Sequence, residues 1–372
     1  LTASRSTSVS SFAVAAGISL GAPVFAQDDG ADASERYAAP VPIDRSQPRY
    51  PEEALQLGRE GWVIVSYVVA EDGSVIEPMI EDSTSDQAFE NAAIDAVGRW
   101  RFEPATLNGE PVEQSMTRVR IVFAMQGVEP GVSRDFRRNL EEIQAGLGAG
   151  DLAKVEEILT EIEFERRRNL TEDAWYWWSK FVYLDASGST DVDAKIDSLK
   201  KAVGYEIDYL PPDTFITAAQ RLYAIQAQAF DLGAAMSTYA RLRDSSAAKR
   251  SASYASALAA LEPSYQRIVD AIAEPNTLAF NGRIGEHDYW VHTLLRRSFS
   301  LAGIQGRVSV VDVRCDRGTR RYDTLAEGNV WNVPASWGEC GIYIGGDVGT
   351  TFTFNEHPAD AASAEAAPQS GQ

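Results

Sequence analysis

The chain has 372 residues, 44% hydrophobic, 10% aromatic and 24% charged, with a formal net charge of −20. That length exceeds a single core of about 250 residues, so two or three domains are expected. The acidic balance excludes nucleic acid and an anionic membrane surface as main partners, because neutralising phosphate needs clustered Lys and Arg. A soluble, self-repelling surface accounts for it.

Residues 1–26 read as a signal peptide. "SFAVAAGISLGAPVFA" is uncharged and apolar, Arg5 precedes it, and Val24-Phe25-Ala26 is a small-residue cleavage pattern. The apolar run of about 15 residues falls short of the roughly 20 that a spanning helix needs. A retained anchor in the inner membrane, facing the periplasm, is the alternative. Residues 27–46, acidic, Ala-rich and Pro-containing, are expected to be a linker.

Residues 47–126 carry a compact pattern. Val63, Val65, Tyr67 and Val69 share one face of a strand, Asp72-Gly73 makes a turn, and a second β-rich run follows, which together predict a hairpin. Phe89, Ala92, Ala93, Ala96 and Val97 then recur at helical spacing, with Ser85 as the expected N-cap. In "AVGRWRFEPATLNGEPV", Trp100 and Phe102 are expected to anchor the helix exit on the sheet, with Arg101 pointing outward. Pro104 and Gly109-Glu110-Pro111 steer the chain into a last strand, where Val119, Ile121, Phe123 and Met125 alternate with Arg118, Arg120, Val122 and Ala124. Strand, strand, helix, strand makes a small α+β unit with the helix on one face of the sheet.

From 133 to 274 the period becomes helical. Helix-pair starts are expected near Ser133, Thr171, Pro212 and Ser246, and "GDLAKVEEIL" and "FDLGAAMSTY" occupy comparable second-helix positions. This resembles a degenerate tetratricopeptide-type array, with an ordinary bundle as the alternative. In "AWYWWSKFVYL", Trp175, Trp178 and Val182 form one stripe and Tyr176, Lys180 and Tyr183 another; such stripes are core between helices more often than a groove.

Residues 275–356 hold short β runs separated by Gly, Asp and Pro, read as a small sandwich-like or barrel-like β domain. An exported compartment allows a Cys315–Cys340 disulfide, from the "VDVRC" strand to the loop before "GIYIG", worth roughly 3.5 kcal/mol. Two buried free thiols are the alternative. Residues 357–372 lack core formers and are expected to be disordered.

No enzyme signature stands out. There is no nucleophile elbow, no His-Glu-x-x-His and no phosphate loop, and the glycines of "GIYIGGDVGT" punctuate strands. His287, His292 and His357 have no metal-ligand spacing, so no metal and no cofactor are expected.

Five features carry a family resemblance: Tyr50-Pro51 with Glu52, Ala54 and Gly58; "EGWVIVSYVVAEDGSV"; Phe89, Ala92, Ala93 and Val97; "WRFEPATLNGEPV"; and "RVRIVFAM". In this order and spacing, residues 47–126 resemble the C-terminal domain of the TonB family of periplasmic energy transducers. The resemblance implies an α+β fold in a Gram-negative periplasm. It also implies binding of an extended peptide of an outer-membrane receptor, or another envelope protein, by strand addition to the third strand. Gln114, Met116, Arg118 and Arg120 would then project from the edge strand away from the apolar face, with Tyr50 and Pro51 near the peptide. The plainer reading is that these residues only solubilise an edge. No histidine precedes His287 and only about 20 residues, at most about 70 Å, separate residue 26 from the domain, which argues against contact with an ExbB/ExbD-type motor. A homodimer is a further candidate assembly. The second functional reading is a non-energised envelope adaptor that works through its helical and β domains.

Overall fold

The computed structural model describes residues 36–358, apart from 85, 126–130, 166–167, 205–208, 247, 286–287 and 324–326. The expected signal peptide, linker residues 27–35, Ser85, His287 and the tail from 359 onward lie outside the described residues.

The segment expected as a linker is structured from Tyr37 onward. Strands β1 (Tyr37–Ala38) and β2 (Val41–Asp44) precede helix α1 (Glu52–Gln56), strands β3 (Gly61–Val69) and β4 (Val75–Ser83) and helix α2 (Gln87–Val97). Asp86, beside the expected Ser85, caps α2: its carboxylate accepts from the Ala88 amide at 3.0 Å. Strands β5 (Arg101–Glu103), β6 (Ala105–Leu107), β7 (Glu110–Val112) and β8 (Gln114–Phe123) complete this part. The loop expected after Pro104 is a hairpin turning at Asn108-Gly109, both with positive φ. Its open edges explain the fate of the linker: Tyr37 pairs with Leu107, and Val41 and Pro42 pair with Glu103 and Phe102.

The sheet of this part runs β4-β3-β8, antiparallel throughout. Val63, Val65, Tyr67 and Val69 bury against Phe89, Ala93 and Val97 of α2, as their alternation predicts. The opposite face is also sealed. Trp62, Ser66 and Val68 are 0%, 2% and 2% exposed, and Trp62 belongs to the core of the helical part. A strand buried on both faces is a near-continuous apolar run, and "GWVIVSYVV" is one.

Helices α3 (Arg134–Ala149), α4 (Leu152–Glu165), α5 (Leu170–Ala186), α6 (Val192–Gly204), α7 (Pro212–Gln228), α8 (Leu232–Asp244) and α9 (Tyr254–Ala273) follow, each packed on its chain neighbours. Three of their connections repeat one device. Gly150, Gly188 and Phe230 sit in the left-handed region, and the next amide (Asp151, Ser189, Asp231) bonds back to Gly146, Leu184 and Gln226. Asp151 and Asp231 then cap α4 and α8 through the amides of Lys154 and Ala234. The start expected near Ser246 falls at Tyr254 instead, because Ser251 and Ser253 bond Asp213 of α7 and hold a short turn there. In α5 the buried aromatics are Tyr176, Trp177 and Phe181, while Trp175, Trp178 and Val182 are only partly buried.

Strands β9 (Leu278–Arg283), β10 (Tyr289–Thr293), β11 (Ser298–Gln305), β12 (Val308–Cys315), β13 (Gly318–Tyr322), β14 (Val330–Asn332), β15 (Cys340–Gly346) and β16 (Thr351–His357) form two antiparallel sheets, β10-β15-β12-β13 and β14-β11-β16-β9. They share a core of Phe299, Leu301, Phe354, Val313, Ile342 and Ile344. Cys315 and Cys340 form a disulfide between directly paired residues, so Cys340 opens a strand and does not lie in the expected loop. His357, placed in the expected tail, ends β16 and bonds the Ser300 hydroxyl.

One buried guanidinium fastens the helices to these sheets. Arg296 donates to the carbonyls of Ala271, Ile272 and Glu274 at 3.2, 2.9 and 2.7 Å, satisfying acceptors that the end of α9 leaves open. Its own amide, with that of Leu295 and His292 Nε2, binds the wholly buried Glu356 carboxylate. Among the described residues no helix is long and apolar enough to cross a membrane, and no group of His, Cys, Asp and Glu is placed to hold a metal.

Candidate functional site

Strand β8 stands at one edge of its sheet, with β3 as its ladder partner. Thr117, Val119, Ile121 and Phe123 pair with Tyr67, Val65, Val63 and Gly61 on the α2 side, which puts Arg118, Arg120 and Val122 on the other face. The register shifts between Tyr67 and Val69, placing one extra residue in β8 and setting Gln114 opposite Val69. Gln114 therefore leaves the row in which its spacing had placed it, and its side chain accepts a hydrogen bond from the Tyr37 hydroxyl. Met116 contributes its main chain to the strand.

Arg118 and Arg120 hold partners on that face. The Arg118 guanidinium meets Glu81 of β4 at 2.8 Å, and Glu81 also accepts from the Tyr343 hydroxyl of β15 at 2.9 Å. Burial, reinforced by the Glu81 carboxylate, pushes the Tyr343 hydroxyl up to about 12, so it remains a neutral donor. Arg120 lies over the Trp62 ring, 5.1 Å from its centroid.

The two ends of β8 differ. At its start Ser115 is 0% exposed and donates to the Cys315 carbonyl at 2.5 Å, while Thr319 bonds the Glu113 carboxylate. Strands β12 and β13 thus rest on the start of β8, at Glu113 and Ser115. Toward its end Arg118, Val122 and Ala124 are exposed, Val122 by 45%. A second lock lies at β4. Glu77 has φ 48° at a register shift and turns to Arg314 and Arg321. Arg314 is 3% exposed, pairs with Asp312 at 2.7 Å and covers the Tyr343 ring.

Tyr50 is half-buried: its ring packs edge-on against Phe89 and Phe123, and its hydroxyl donates to the Arg59 carbonyl at 2.5 Å. Burial raises that hydroxyl to about 12. Pro51 precedes α1, and its carbonyl accepts from Leu55. Tyr50 thus fixes the helix-side core. Trp100 and Phe102 are buried as expected, the indole donating to the Ser46 carbonyl at 2.9 Å with Arg45 over its ring, and Arg101 is exposed. Pro104 separates β5 from β6.

The family model described as Gram-negative bacterial TonB protein C-terminal matches residues 46–125. Those residues are a TonB C-terminal domain. This TonB-type domain is 32% identical over 81 residues to Protein TonB of Vibrio cholerae, covering 22% of this chain and 33% of that protein. To Protein TonB of Escherichia coli it is 36% identical over 90 residues, covering 24% and 35%. The match thus spans about a third of the length of these relatives. A solution structure of the Pseudomonas aeruginosa TonB C-terminal domain is similar at 23% identity and TM-score 0.22, covering 24% of this chain and 91% of that one.

Glu77, Glu81, Ser115, Arg314 and Tyr343, which fasten the TonB-type domain to the β part, were not singled out from sequence. Only the Glu77-Pro78 interruption of a strand-like run marks one of them. A surface depression of 480 Å³, lined by Asp288, Tyr289, Arg307 and Arg321, lies elsewhere in the β part. Its guanidiniums are already paired with Asp347 and with Asp323 and Glu77.

Proposed function

We propose that this is an exported, periplasmic protein whose TonB-type domain takes up an extended peptide of an outer-membrane receptor or another envelope protein. The peptide adds as a strand along β8, in the service of TonB-dependent transport. The observation that carries this reading is the position of β8 at the sheet edge, with Arg118, Val122 and Ala124 exposed. An edge strand supplies unpaired main-chain donors and acceptors, which hold a peptide, while alternate side chains select it. Arg118 and Arg120, held by Glu81 and the Trp62 ring, flank that edge. Met116 and Gln114 lie on the strand's covered half, and Tyr50 and Pro51 serve by shaping the domain behind it. The reading involves no enzymatic step and needs no ExbB/ExbD-type motor.

The test is calorimetric titration of the full chain with short synthetic peptides from receptor N-termini, each in plain form and N-methylated at alternate residues. Micromolar binding by a plain peptide, lost on N-methylation, is expected. Equal binding by both forms removes strand addition, and no binding by any peptide removes the reading.

A second reading, a non-energised envelope adaptor, is favoured by the lock of Arg314 onto Glu77 and of Tyr343 onto Glu81, which makes the TonB-type domain part of a larger body. The helical part then serves as a degenerate tetratricopeptide-type array, supported by the repeated turns at Gly150, Gly188 and Phe230. Envelope partners captured by crosslinking that persist while a receptor peptide saturates β8 support the adaptor; their complete displacement counts against it.

A further inference from the structure

We propose that the β12–β13 hairpin is a built-in stop on the edge strand, so that an added peptide pairs with Arg118–Ala124 and ends before Glu113–Thr117. The inference rests on strand addition at β8 and goes on to set the register and length of what is added.

Three contacts close the start of the strand. The Ser115 hydroxyl is buried against the Cys315 carbonyl, the last residue of β12. The Thr319 hydroxyl of β13 bonds Glu113, the residue that enters β8. Arg317, in the turn between β12 and β13, lies over the Tyr37 ring, 5.2 Å from its centroid, and Tyr37 in turn bonds Gln114. Hydroxyls, a carbonyl and a guanidinium thus converge on this short stretch, where an incoming strand would need the same space.

The stop is firmly held. The Cys315–Cys340 disulfide clips β12 to β15 at the point where Ser115 docks, and Arg314, next in the chain, is anchored to Glu77 and Asp312. Moving the hairpin aside would break the Arg314–Glu77 ion pair. Beyond Thr117 the edge opens: Arg118, Val122 and Ala124 are exposed, although Arg118 is held to Glu81 and Arg120 lies over the Trp62 ring. At about 3.3 Å per residue the open stretch accepts about seven residues of extended chain, a length that side-chain chemistry alone would not fix. The stop also excludes continuous edge-to-edge pairing of long strands, the usual hazard of an exposed edge.

The experiment is amide hydrogen exchange on the full chain, free and saturated with the tightest receptor-derived peptide, followed by trimming that peptide from either end. In the free chain the amides of Glu113–Thr117 should exchange at least tenfold more slowly than those of Arg118–Ala124. The double variant Ser115→Ala with Thr319→Ala, which removes both hydroxyl contacts, should narrow that difference, a readout that needs no peptide. On saturation, new protection should be confined to Arg118–Ala124, and trimming should cost no affinity until the peptide is shorter than about seven residues. Protection that spreads into Glu113–Thr117, or affinity that keeps rising with longer peptides, overturns the stop while leaving strand addition intact. Equal exchange of the two halves in the free chain overturns it without reference to any peptide. Failure of every peptide to bind removes strand addition and the stop's purpose with it.

Discussion

Gly204, the last residue of α6, lies flat against the Trp62 indole of β3: a Cβ added there would stand 2.9 Å from Cζ2 and 3.3 Å from Cη2. This contact joins the helical part to the TonB-type sheet, and the ring has no room to withdraw because Trp62 is fully buried. Gly204→Leu is expected to lower the unfolding free energy by about 1–3 kcal/mol, the usual cost of overpacking. Gly148→Ala in α3, where a Cβ meets nothing, should be neutral or stabilising by up to about 1 kcal/mol. Urea denaturation of the two variants side by side checks both signs.

The Asp72-Gly73 turn is as tightly committed. Gly73 has φ +77°, its Cβ would lie 1.9 Å from the Phe102 carbonyl oxygen, and its own carbonyl accepts from the Phe102 amide at 2.8 Å. Gly73→Ala combines a disfavoured backbone with a main-chain clash and should cost more than about 2 kcal/mol. Gly109→Ala has the same sign of φ with nothing within reach and should cost about 1 kcal/mol. A Gly73→Ala protein as stable as wild type would refute the close approach.

Arg314 fastens two parts of the molecule, and its removal leaves the buried Asp312 carboxylate without its cation. Arg314→Ala is expected to destabilise by about 3–5 kcal/mol. Because Glu77 is half-exposed, Glu77→Gln should cost about 1 kcal/mol or less. Limited proteolysis should cut Arg314→Ala faster than Glu77→Gln.

Asp82 supplies a pH signature where the TonB-type sheet meets α6. Burial raises its carboxyl above the ordinary range, outweighing Lys200, at 3.9 Å, and Lys201. The folded state then holds the proton more tightly than the unfolded chain. Stability from this group is complete below the ordinary carboxylate range and is lost as pH rises through the raised value. Asp82→Asn should flatten the stability curve across that window and match or exceed wild type at neutral pH. A wild-type curve that rises with pH there faster than the Asn variant's would reverse the assignment.

Local chemistry made the hairpin at Asp72-Gly73 and the α2 face of Phe89, Ala93 and Val97 readable from sequence, since turn residues and helical spacing are local, and the Trp100/Phe102 pair is readable as two bulky aromatics at a helix exit. What local pattern misses is the second face of β3. Trp62, Ile64 and Val68 were apolar in plain view, but an alternating strand explains itself with one buried face, and nothing nearby in sequence indicated a cover more than 140 residues away. The displaced Gln114 has a similar cause: a single inserted residue in β8 reverses every facing before it, and bulges carry little sequence signal. The linker was misjudged because Ala and Pro content describes solvation, whereas Tyr37, Val41 and Pro42 are held by edges that β5 and β6 create.

Synthesis proceeds from the N-terminus, so the TonB-type segment is made before the groups that close its sheet, Gly204, Arg314 and Tyr343. Until Gly204 arrives the Trp62 flank stays open, and a chain halted before β15 lacks Tyr343, which bonds Glu81. The native assembly of the TonB-type domain is therefore timed by the completion of parts made after it.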